Sequence, residues 1–243
     1  MISAPPASAW RLARDSAMTG ETFSGLYRHW AARGNHLYPS EFVVRTMLGT
    51  YPRHAFINSW EGQAVLDLGF GDGRNFPLLV NAGARVAGVE VTEDIVALAR
   101  ERFADAPVDL RVGTNAHIPF EDHTFDAVLA CHSCYYLEGD DRFDDNLAEI
   151  ARVLRPGGHL IFSVPHTDNF IFRDAKAIDR HIFEITADPC AKRDGTRLAG
   201  FADRGDLELA LYHHFANVRL GFQDDDFYGI RVAFHFGVAQ KRG

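Results

Sequence analysis

The chain is 243 residues long, which fits either one large domain or two small ones. It is 47% hydrophobic and 24% charged, a composition that is typical of globular proteins and excludes pervasive disorder and collagen-like repeats. The formal net charge of −8 argues against a nucleic acid or an anionic membrane surface as the main partner.

The N-terminal residues and the cysteines predict the cellular setting. Residues 1–20 lack the apolar block of a secretory signal, and no stretch approaches the roughly 18 consecutive apolar residues of a membrane span. The three cysteines are an odd number and too few for a disulfide framework in a chain of this length. We therefore expect a cytoplasmic protein with a flexible segment over residues 1–20.

Helical patterns come first and are followed by alternating strands and helices. Residues 21–61 contain three helical patterns, the third with Pro39 in its first turn, and predict a helical cap. Beyond them, strands are predicted over residues 64–68, 85–89, 108–112, 127–131 and 159–164, with helices ending near residue 82 and over residues 92–103 and 142–154. Such alternation predicts a mainly parallel sheet with helices on both faces, whose ligands bind beyond the carboxyl ends of the strands.

The pattern changes after Pro165. Residues 166–206 have no clean period and predict an irregular cover over the substrate, while residues 62–165 form the core. Residues 207–243 predict a helix over 207–215 and strands over 218–222 and 228–238, joined by residues 223–226. We expect one domain whose sheet is completed by this terminal hairpin.

The most informative stretch is VLDLGFGDGR, residues 65–74. A strand delivers Asp67, and the three glycines at 69, 71 and 73 permit positive φ and a close approach of the backbone to a ligand. The helix behind them offers unpaired N–H groups to an anionic ligand group. Glu90, about twenty residues later, ends the second strand, where a carboxylate can accept hydrogen bonds from ribose hydroxyls.

A dinucleotide site and a turn without a ligand are two interpretations of this stretch. The dinucleotide fingerprint requires a small residue where the chain has Arg74, which disfavours an NAD(P)-dependent oxidoreductase. A tight strand-to-helix turn with no ligand also fits the glycines alone.

Four ordered motifs together resemble the class I S-adenosylmethionine (SAM) dependent methyltransferases. The acidic residue before G-x-G-x-G resembles their motif I, and GTNAHIPF (residues 113–120) is similar to their G-D-A-x-x-L-P-F segment. Phe125-Asp126 opens the fourth strand as in that family, and EIARVLRPGG (residues 149–158) is similar to E-I-x-R-V-L-K-P-G-G. The resemblance covers residues 62–165.

This resemblance implies a Rossmann-like α/β fold with a seven-stranded, mainly parallel sheet and an antiparallel terminal strand. It also implies SAM as the cofactor, with S-adenosylhomocysteine as its product. Asp67 would face the methionine amine and Glu90 the ribose, and Thr114 replaces the usual aspartate at the adenine, so that Thr114, Asn115 or the backbone of Ala116 would supply that contact. The complete expected cofactor set is Asp67, Gly69, Phe70, Gly71, Glu90, Val91, Thr114, Asn115, Ala116 and Cys131.

The segment after the fourth strand, residues 130–136, predicts a small-molecule substrate. It lacks the Asn/Asp-Pro-Pro-aromatic tetrad of DNA amino-methyltransferases and the magnesium-binding Asp of catechol-type enzymes. His132 is the first candidate for a general base, and His166 is the second. His132 as a polar wall, and catalysis by positioning alone, remain open alternatives.

The expected substrate-binding side chains are aromatic, with one cation: Tyr27, Trp30, Arg45, Tyr135 and Tyr136. Arg45 could bind an acidic group bidentately, or form a surface ion pair with Glu41 instead. No metal site is expected, because Cys131-x-x-Cys134 lacks two further ligands at zinc-finger spacing.

Together the residues and the resemblance predict a SAM-dependent methyltransferase that acts on O or N of a small metabolite or natural-product intermediate. A methyltransferase acting on tRNA or protein and a non-catalytic SAM-binding protein are the alternatives. The expected partners are a small molecule, with no nucleic acid and no membrane, in a monomer or homodimer.

Overall fold

A computed structural model describes residues 25, 27–28, 37–49, 59–188 and 192–243. The flexible segment expected over residues 1–20, and Trp30 of the expected substrate site, lie outside the described residues.

The described elements alternate as the sequence predicts. The strands are β1 (Ala64–Leu68), β2 (Arg85–Glu90), β3 (Val108–Val112), β4 (Phe125–Ala130), β5 (Tyr136–Leu137), β6 (Leu154–Pro165), β7 (Ala175–Asp179), β8 (Ile182–Ile185), β9 (Arg197–Ala199), β10 (Phe215–Phe227) and β11 (Ile230–Lys241). The helices are α1 (Glu41–Leu48), α2 (Phe76–Asn81), α3 (Glu93–Arg102), α4 (Phe143–Val153) and α5 (Arg204–Tyr212), with a 3₁₀ turn at Phe170–Phe172.

Seven strands form the main sheet in the order β10-β11-β6-β4-β1-β2-β3. The pairs from β3 to β6 are parallel, and β11 is antiparallel to both β6 and β10. This architecture confirms the predicted mainly parallel sheet with an antiparallel terminal hairpin. β1 is central and all five of its residues are buried, because it is paired on both sides and covered on both faces.

Helices cover both faces of this sheet, also as predicted. On one face α4 and α5 bury Leu147, Ile150 and Leu207 in a large core cluster. On the other face α1 and α3 bury Phe42 and Ile95 in a second cluster. The sheet therefore separates two apolar layers, and neither of its faces is open to water over the central strands.

Two of the helices, α2 and α3, begin with residues that favour a helix start. Pro77 lies in the first turn of α2, and the Thr92 hydroxyl accepts a hydrogen bond from the Ile95 N–H at 3.4 Å, as an N-cap should. Pro39 was expected inside the first turn of a helix, but α1 begins at Glu41 with Ser40 as its extended N-cap residue. Pro39 therefore precedes the helix.

The segment expected to be irregular, residues 166–206, contains three strands. β7, β8 and β9 join β5 in a second, antiparallel sheet of order β5-β9-β8-β7. Tyr136 of β5 pairs with Leu198 of β9, a partner about sixty positions away. Strands this short carry little periodicity, and their pairing depends on contacts that local sequence does not reveal.

The terminal hairpin turns later than predicted. Asp224, Asp225 and Asp226 were expected in the connection but lie within β10. The connection is Tyr228-Gly229, whose φ values of 58° and 87° suit a two-residue turn between antiparallel strands. The acidic run fits a strand because Arg231 of β11 donates to the Asp224 carboxylate at 2.8 Å across the hairpin.

Replacing a buried leucine of α4 tests the packing of the helical layer. Leu147→Ala removes a fully buried side chain, and we expect a loss of about 2–5 kcal/mol in the free energy of unfolding, measured by urea denaturation. Leu209→Ala on α5 is the matched control, since Leu209 is 65% exposed and should change stability by less than about 0.5 kcal/mol. Equal effects of the two changes would contradict this packing.

Candidate functional site

A cleft opens where β1, β2 and β4 end, at the edge of the sheet at which such folds bind ligands. It encloses about 690 Å³ between protein atoms, open space at its mouth included. Its lining residues are Tyr27, Leu68, Gly69, Val89, Glu90, Val91, Ile95, Gly113, Thr114, Asn115, His132, Ser133, Tyr136 and Glu138.

Gly69, the first glycine of the turn, lines this cleft and leaves space in it because it has no side chain. Gly69 and Gly71 have φ of 67° and 58°, values that L side chains rarely adopt. A Cβ on Gly69 would lie 2.4 Å from Cβ of Ser133, and one on Gly71 would lie 2.6 Å from the hydroxyl of Tyr27. The turn thus packs directly against the loop after β4 and against Tyr27.

Glu90 connects the end of β2 to the glycine turn. Its carboxylate accepts hydrogen bonds from the N–H of Gly71 at 3.2 Å and from the N–H of Val91 at 2.7 Å. Burial raises the pKa of this carboxyl, and the two backbone donors oppose that rise. Each oxygen keeps a further lone pair, so Glu90 can also accept from hydroxyl groups in the cleft.

Asp67 lies beneath the glycine turn and not on the cleft surface. It is 1% exposed, and its oxygens accept from Asn75 Nδ2 at 3.1 and 3.4 Å. Burial, with Glu90 and Asp72 nearby, raises the pKa of Asp67 to about 7 despite the Asn75 bond. In this arrangement Asp67 acts on a cleft ligand through its charge and through the turn above it.

The segment after β3 lies along the cleft with Thr114 and Asn115 in the lining. The Asn115 amide donates to the carbonyl oxygens of Ser133 at 2.9 Å and Tyr136 at 3.1 Å. With its donors used this way, Asn115 retains its amide oxygen, which suits an amine donor such as that of adenine. Ala116 is not among the lining residues.

Three other residues of the expected cofactor set occupy different positions. Val91 is exposed and lines the cleft. Phe70 is instead buried in the core, with its ring 5.2 Å from that of Phe76, so only its backbone belongs to the turn. The Cys131 thiol lies 3.2 Å from the hydroxyl of Ser40, outside the lining, and burial raises its pKa to about 12.

His132 lines the cleft immediately after β4, in the left-handed conformation with φ of 58°. Its backbone N–H donates to the Ser163 hydroxyl at 2.8 Å, and its ring Nδ1 lies 3.1 Å from the same oxygen. One face of the side chain stays open to the cleft. The protein atoms around it, with the charges of Arg74 and Arg193, lower the pKa of His132 to about 4, so the ring is neutral at pH 7.

His166, the second candidate base, is not in this cleft. Its Nε2 lies 3.0 Å from the carbonyl oxygen of Ala202, and its Nδ1 accepts from the N–H of Asp168 at 3.0 Å. Because both ring nitrogens are engaged with backbone groups, His166 fixes the turn after β6. It has no lone pair available for a substrate proton.

The expected aromatic residues divide between the cleft and the core. Tyr27 and Tyr136 line the cleft, and the Tyr136 hydroxyl accepts from Arg193 Nε at 3.0 Å. Tyr135 is 3% exposed and stacks on Tyr136 with ring centroids 4.9 Å apart, so it supports the wall from behind. Burial, followed by the negative charges of nearby carboxylates, raises the pKa of Tyr27, which keeps its proton at neutral pH.

Arg45 does not reach the cleft. Its guanidinium lies 2.6 Å from the carboxylate of Glu41, and both side chains are mostly exposed on α1. The surface ion pair that the sequence left open as an alternative is therefore the arrangement observed.

Sequence reasoning missed several lining residues: Leu68, Val89, Ile95, Gly113, Ser133 and Glu138. Leu68 and Val89 end their strands next to predicted site residues, so the parallel register would have revealed them. Ser133 and Glu138 carry no signal of their own, because their place depends on the loop that joins the two sheets.

Neither a metal site nor a membrane span is found in the part of the chain that the structure describes. No group of three or more His, Cys, Asp and Glu side chains there is placed to hold a metal ion. Cys134, which the sequence paired with Cys131, has a buried thiol 3.8 Å from the Ser163 carbonyl oxygen. None of the described helices is long and apolar enough to cross a bilayer.

Comparison with known proteins matches this fold. Residues 66–162 match a family model described as a methyltransferase domain. A fatty-acid O-methyltransferase from Mycolicibacterium smegmatis is 35% identical over 132 residues, which cover 54% of this chain and 47% of that protein. The chain spans about half the length of the curated relatives that it matches.

Solved structures show the same fold. A SAM-dependent methyltransferase from Methanosarcina mazei has a TM-score of 0.60 at 16% identity, over 85% of this chain and 99% of that one. Phosphoethanolamine N-methyltransferase 2 from Haemonchus contortus, solved with phosphomonomethylethanolamine and S-adenosylhomocysteine, has a TM-score of 0.61 at 18% identity, over 91% of this chain and 58% of that one.

The raised pKa of Asp67 predicts a pH-dependent cost to stability. The Asp67 carboxyl loses its proton near pH 3.8 in the unfolded chain but only near pH 7 in the folded state. Between these two pH values the folded state binds more protons, so the free energy of unfolding falls as pH rises. Asp67→Asn removes this titration. Relative to the unmodified chain, we expect the variant to gain about 2–3 kcal/mol between pH 5 and pH 8 in urea unfolding.

The matched control for this experiment is Asp105→Asn, at an exposed position after α3. It should change stability equally at both pH values. If the free energies of unfolding of Asp67→Asn and the unmodified chain differed by the same amount at pH 5 and pH 8, Asp67 would be ionised over this whole range.

Proposed function

We propose that the chain is a class I SAM-dependent methyltransferase, as its methyltransferase domain over residues 66–162 indicates, and that it transfers the methyl group of SAM to an oxygen or nitrogen of a small molecule. The observation that carries the proposal is that one cleft combines Gly69 of the glycine turn, a carboxylate at a strand end and a neutral histidine. The glycine and the carboxylate suit the cofactor, and the histidine faces the part of the cleft that is left for the acceptor.

The residues present fit SAM. Glu90 is fixed by two backbone donors and keeps lone pairs for the ribose hydroxyls, while Asn115 presents an amide oxygen for the adenine amine. The cluster of Asp67, Asp72 and Glu90 contains a single neighbouring cation, Arg74, so it favours the cationic methionine end of the cofactor. When bound, SAM supplies a methyl group on a sulfonium that departs as a neutral thioether.

The chain's own residues orient the acceptor and exclude water from the reacting centre. Methyl transfer requires the accepting atom in line with the carbon–sulfur bond, which binding in a walled cleft provides. Tyr136 is fixed by Arg193, and the His132 ring is bounded by the edges of Phe42 and Phe234, with centroids at 6.3 and 4.4 Å. These groups support a small acceptor with an apolar body and one polar end.

The relatives and the charge of the chain support this substrate class. The related fatty-acid O-methyltransferase acts, by its name, on a fatty acid. With a net charge of −8 the chain is poorly suited to tRNA, so we propose a small-molecule partner and no nucleic acid. Within the same proposal the protein is cytoplasmic and acts as a monomer or homodimer.

Replacing Glu90 tests the cofactor half of the proposal. Glu90→Ala removes the acceptor of the ribose hydroxyls, and we expect SAM binding to weaken by about 1–3 kcal/mol in isothermal titration calorimetry. Glu101→Ala, at an exposed position of α3, is the matched control and should bind SAM as the unmodified chain does. Equal affinities of the two variants would contradict a ribose contact at Glu90, and binding of NAD(P) in place of SAM would contradict the proposed function.

Turnover is tested by scoring S-adenosylhomocysteine formation over a metabolite panel, with tRNA and cell-extract protein as further acceptors. We expect product with small apolar acceptors only. Labelled methyl groups retained on RNA or protein would overturn the small-molecule assignment, and SAM binding with no turnover on any acceptor would favour a non-catalytic SAM-binding protein.

A further inference from the structure

The hydrogen bonds of His132 decide which of its nitrogens carries the proton. The buried Ser163 hydroxyl accepts from the backbone N–H of His132, and it has one proton of its own to donate. Among the described residues, the only other partner at that hydroxyl is His132 Nδ1, at 3.1 Å. If Nδ1 were the donor, the buried hydroxyl proton would have no acceptor, which costs free energy. Ser163 therefore donates, Nδ1 accepts, and the neutral ring carries its proton on Nε2.

A histidine in this tautomer presents an N–H group to the cleft. The lone pair of Nδ1 is already used by Ser163, and Nε2 has no lone pair while it is protonated. Such a ring cannot take a proton from the substrate without first losing one. It can donate a hydrogen bond to an oxygen. The sequence predicted His132 as a general base, whereas in this tautomer His132 is a hydrogen-bond donor.

The charges around His132 favour an anion as the recipient of this hydrogen bond. Arg74, after the glycine turn, and Arg193, before β9, both act on the ring as positive charges. The nearest ring edges, from Phe42 and Phe234, are apolar. The other titratable groups of the cleft are Tyr27, Glu90, Tyr136 and Glu138.

We propose, resting on the methyltransferase function above, that the acceptor is a carboxylate and that His132 donates its Nε2–H to one carboxylate oxygen. The other oxygen forms the new bond to the methyl carbon as the carbon–sulfur bond breaks. The negative charge of the carboxylate and the positive charge of the sulfonium cancel, the product is a neutral ester, and no proton moves. A base is unnecessary because the nucleophile is already ionised at neutral pH. Ser163 is the positioning residue that fixes the tautomer.

The tautomer is tested by NMR without reference to activity. In the full chain labelled with ¹⁵N-histidine, two-bond ¹H–¹⁵N spectra distinguish a protonated Nε2 from a protonated Nδ1, and comparison with His132→Gln assigns the signals. We expect the Nε2–H form of His132, with no titration between pH 6 and pH 8, and a mixture of tautomers in Ser163→Ala. A proton on Nδ1 in the unmodified chain, or a ring that titrates near pH 6.5, would overturn the proposal.

The acceptor class is tested with probes that share one carbon skeleton. Octanoate, octanol and octylamine, and phenylacetate, phenylethanol and phenylethylamine, are incubated with SAM, and S-adenosylhomocysteine is measured. We expect product from the two carboxylates only. Methylation of the alcohols or amines alone, or of none of the six while calorimetry shows SAM binding, overturns the carboxylate assignment. Absence of SAM binding overturns the proposed function, while the NMR result still decides the tautomer.

Two variants separate a donor from a base. Glutamine places an N–H group near the position of histidine Nε2 but cannot act as a base, whereas phenylalanine keeps the ring shape and donates nothing. We expect His132→Phe to lower kcat/KM for the carboxylate by about 10- to 100-fold and His132→Gln to lower it much less. Equal losses in both variants would contradict donation. His213→Gln, at an exposed position after α5, is the matched control.

Discussion

The close approach of the glycine turn to its neighbours is the constraint on which the site depends. At Gly69, Gly71 and Gly73 an added Cβ would come within 2.4, 2.6 and 2.5 Å of Ser133, Tyr27 and Phe103 in turn. The three contacts belong to different elements, namely the loop after β4, the helical residues before α1 and the end of α3. The glycines of one turn therefore allow it to pack against three other elements, and Glu90 links that turn to the neighbouring strand end through the N–H of Gly71.

The cleft is electrostatically divided, and the division gives its two ends different ligand preferences. The pKa values of the buried carboxyls of Asp67 and Glu90 are raised because burial disfavours their charges, and at Asp67 repulsion by Glu90 and Asp72 adds to this effect. A cationic ligand group relieves that repulsion. Arg74, which pairs with Asp72 of the acidic cluster, and Arg193 at the other end both disfavour a positive charge on His132, so an anionic group is the complementary partner there. An acceptor that brings a negative charge to a cationic methyl donor matches both ends, and the two charges cancel in the reaction.

The sequence predicted what depends on local periodicity and on ordered motifs. The strands from β1 to β4, the layers of helices and the places of Glu90, Thr114 and His132 all follow from runs of a few residues and their spacing. The second sheet was missed because Tyr136 pairs with Leu198 across a long stretch of chain. The sequence did not decide the roles of Arg45 and His166, because the role of a side chain depends on the groups that it contacts. Arg45 pairs with Glu41, and His166 bonds to backbone groups.

The loop that carries His132 is held from both sides by amides that have no sequence signature. Asn115 donates to the carbonyl oxygens of Ser133 at 2.9 Å and Tyr136 at 3.1 Å. The buried Asn146 of α4 donates to the carbonyl oxygens of Cys134 and Tyr136, both at 2.9 Å. A non-glycine residue in the left-handed region costs roughly 1 kcal/mol and persists only where its surroundings hold it there. At His132 they do so through two bonds to a single hydroxyl on the neighbouring strand, which fix both the backbone and the ring. A general base needs a free lone pair more than a fixed orientation. The strained backbone and fixed ring of His132 are therefore better explained by a hydrogen bond that its Nε2–H donates in one direction.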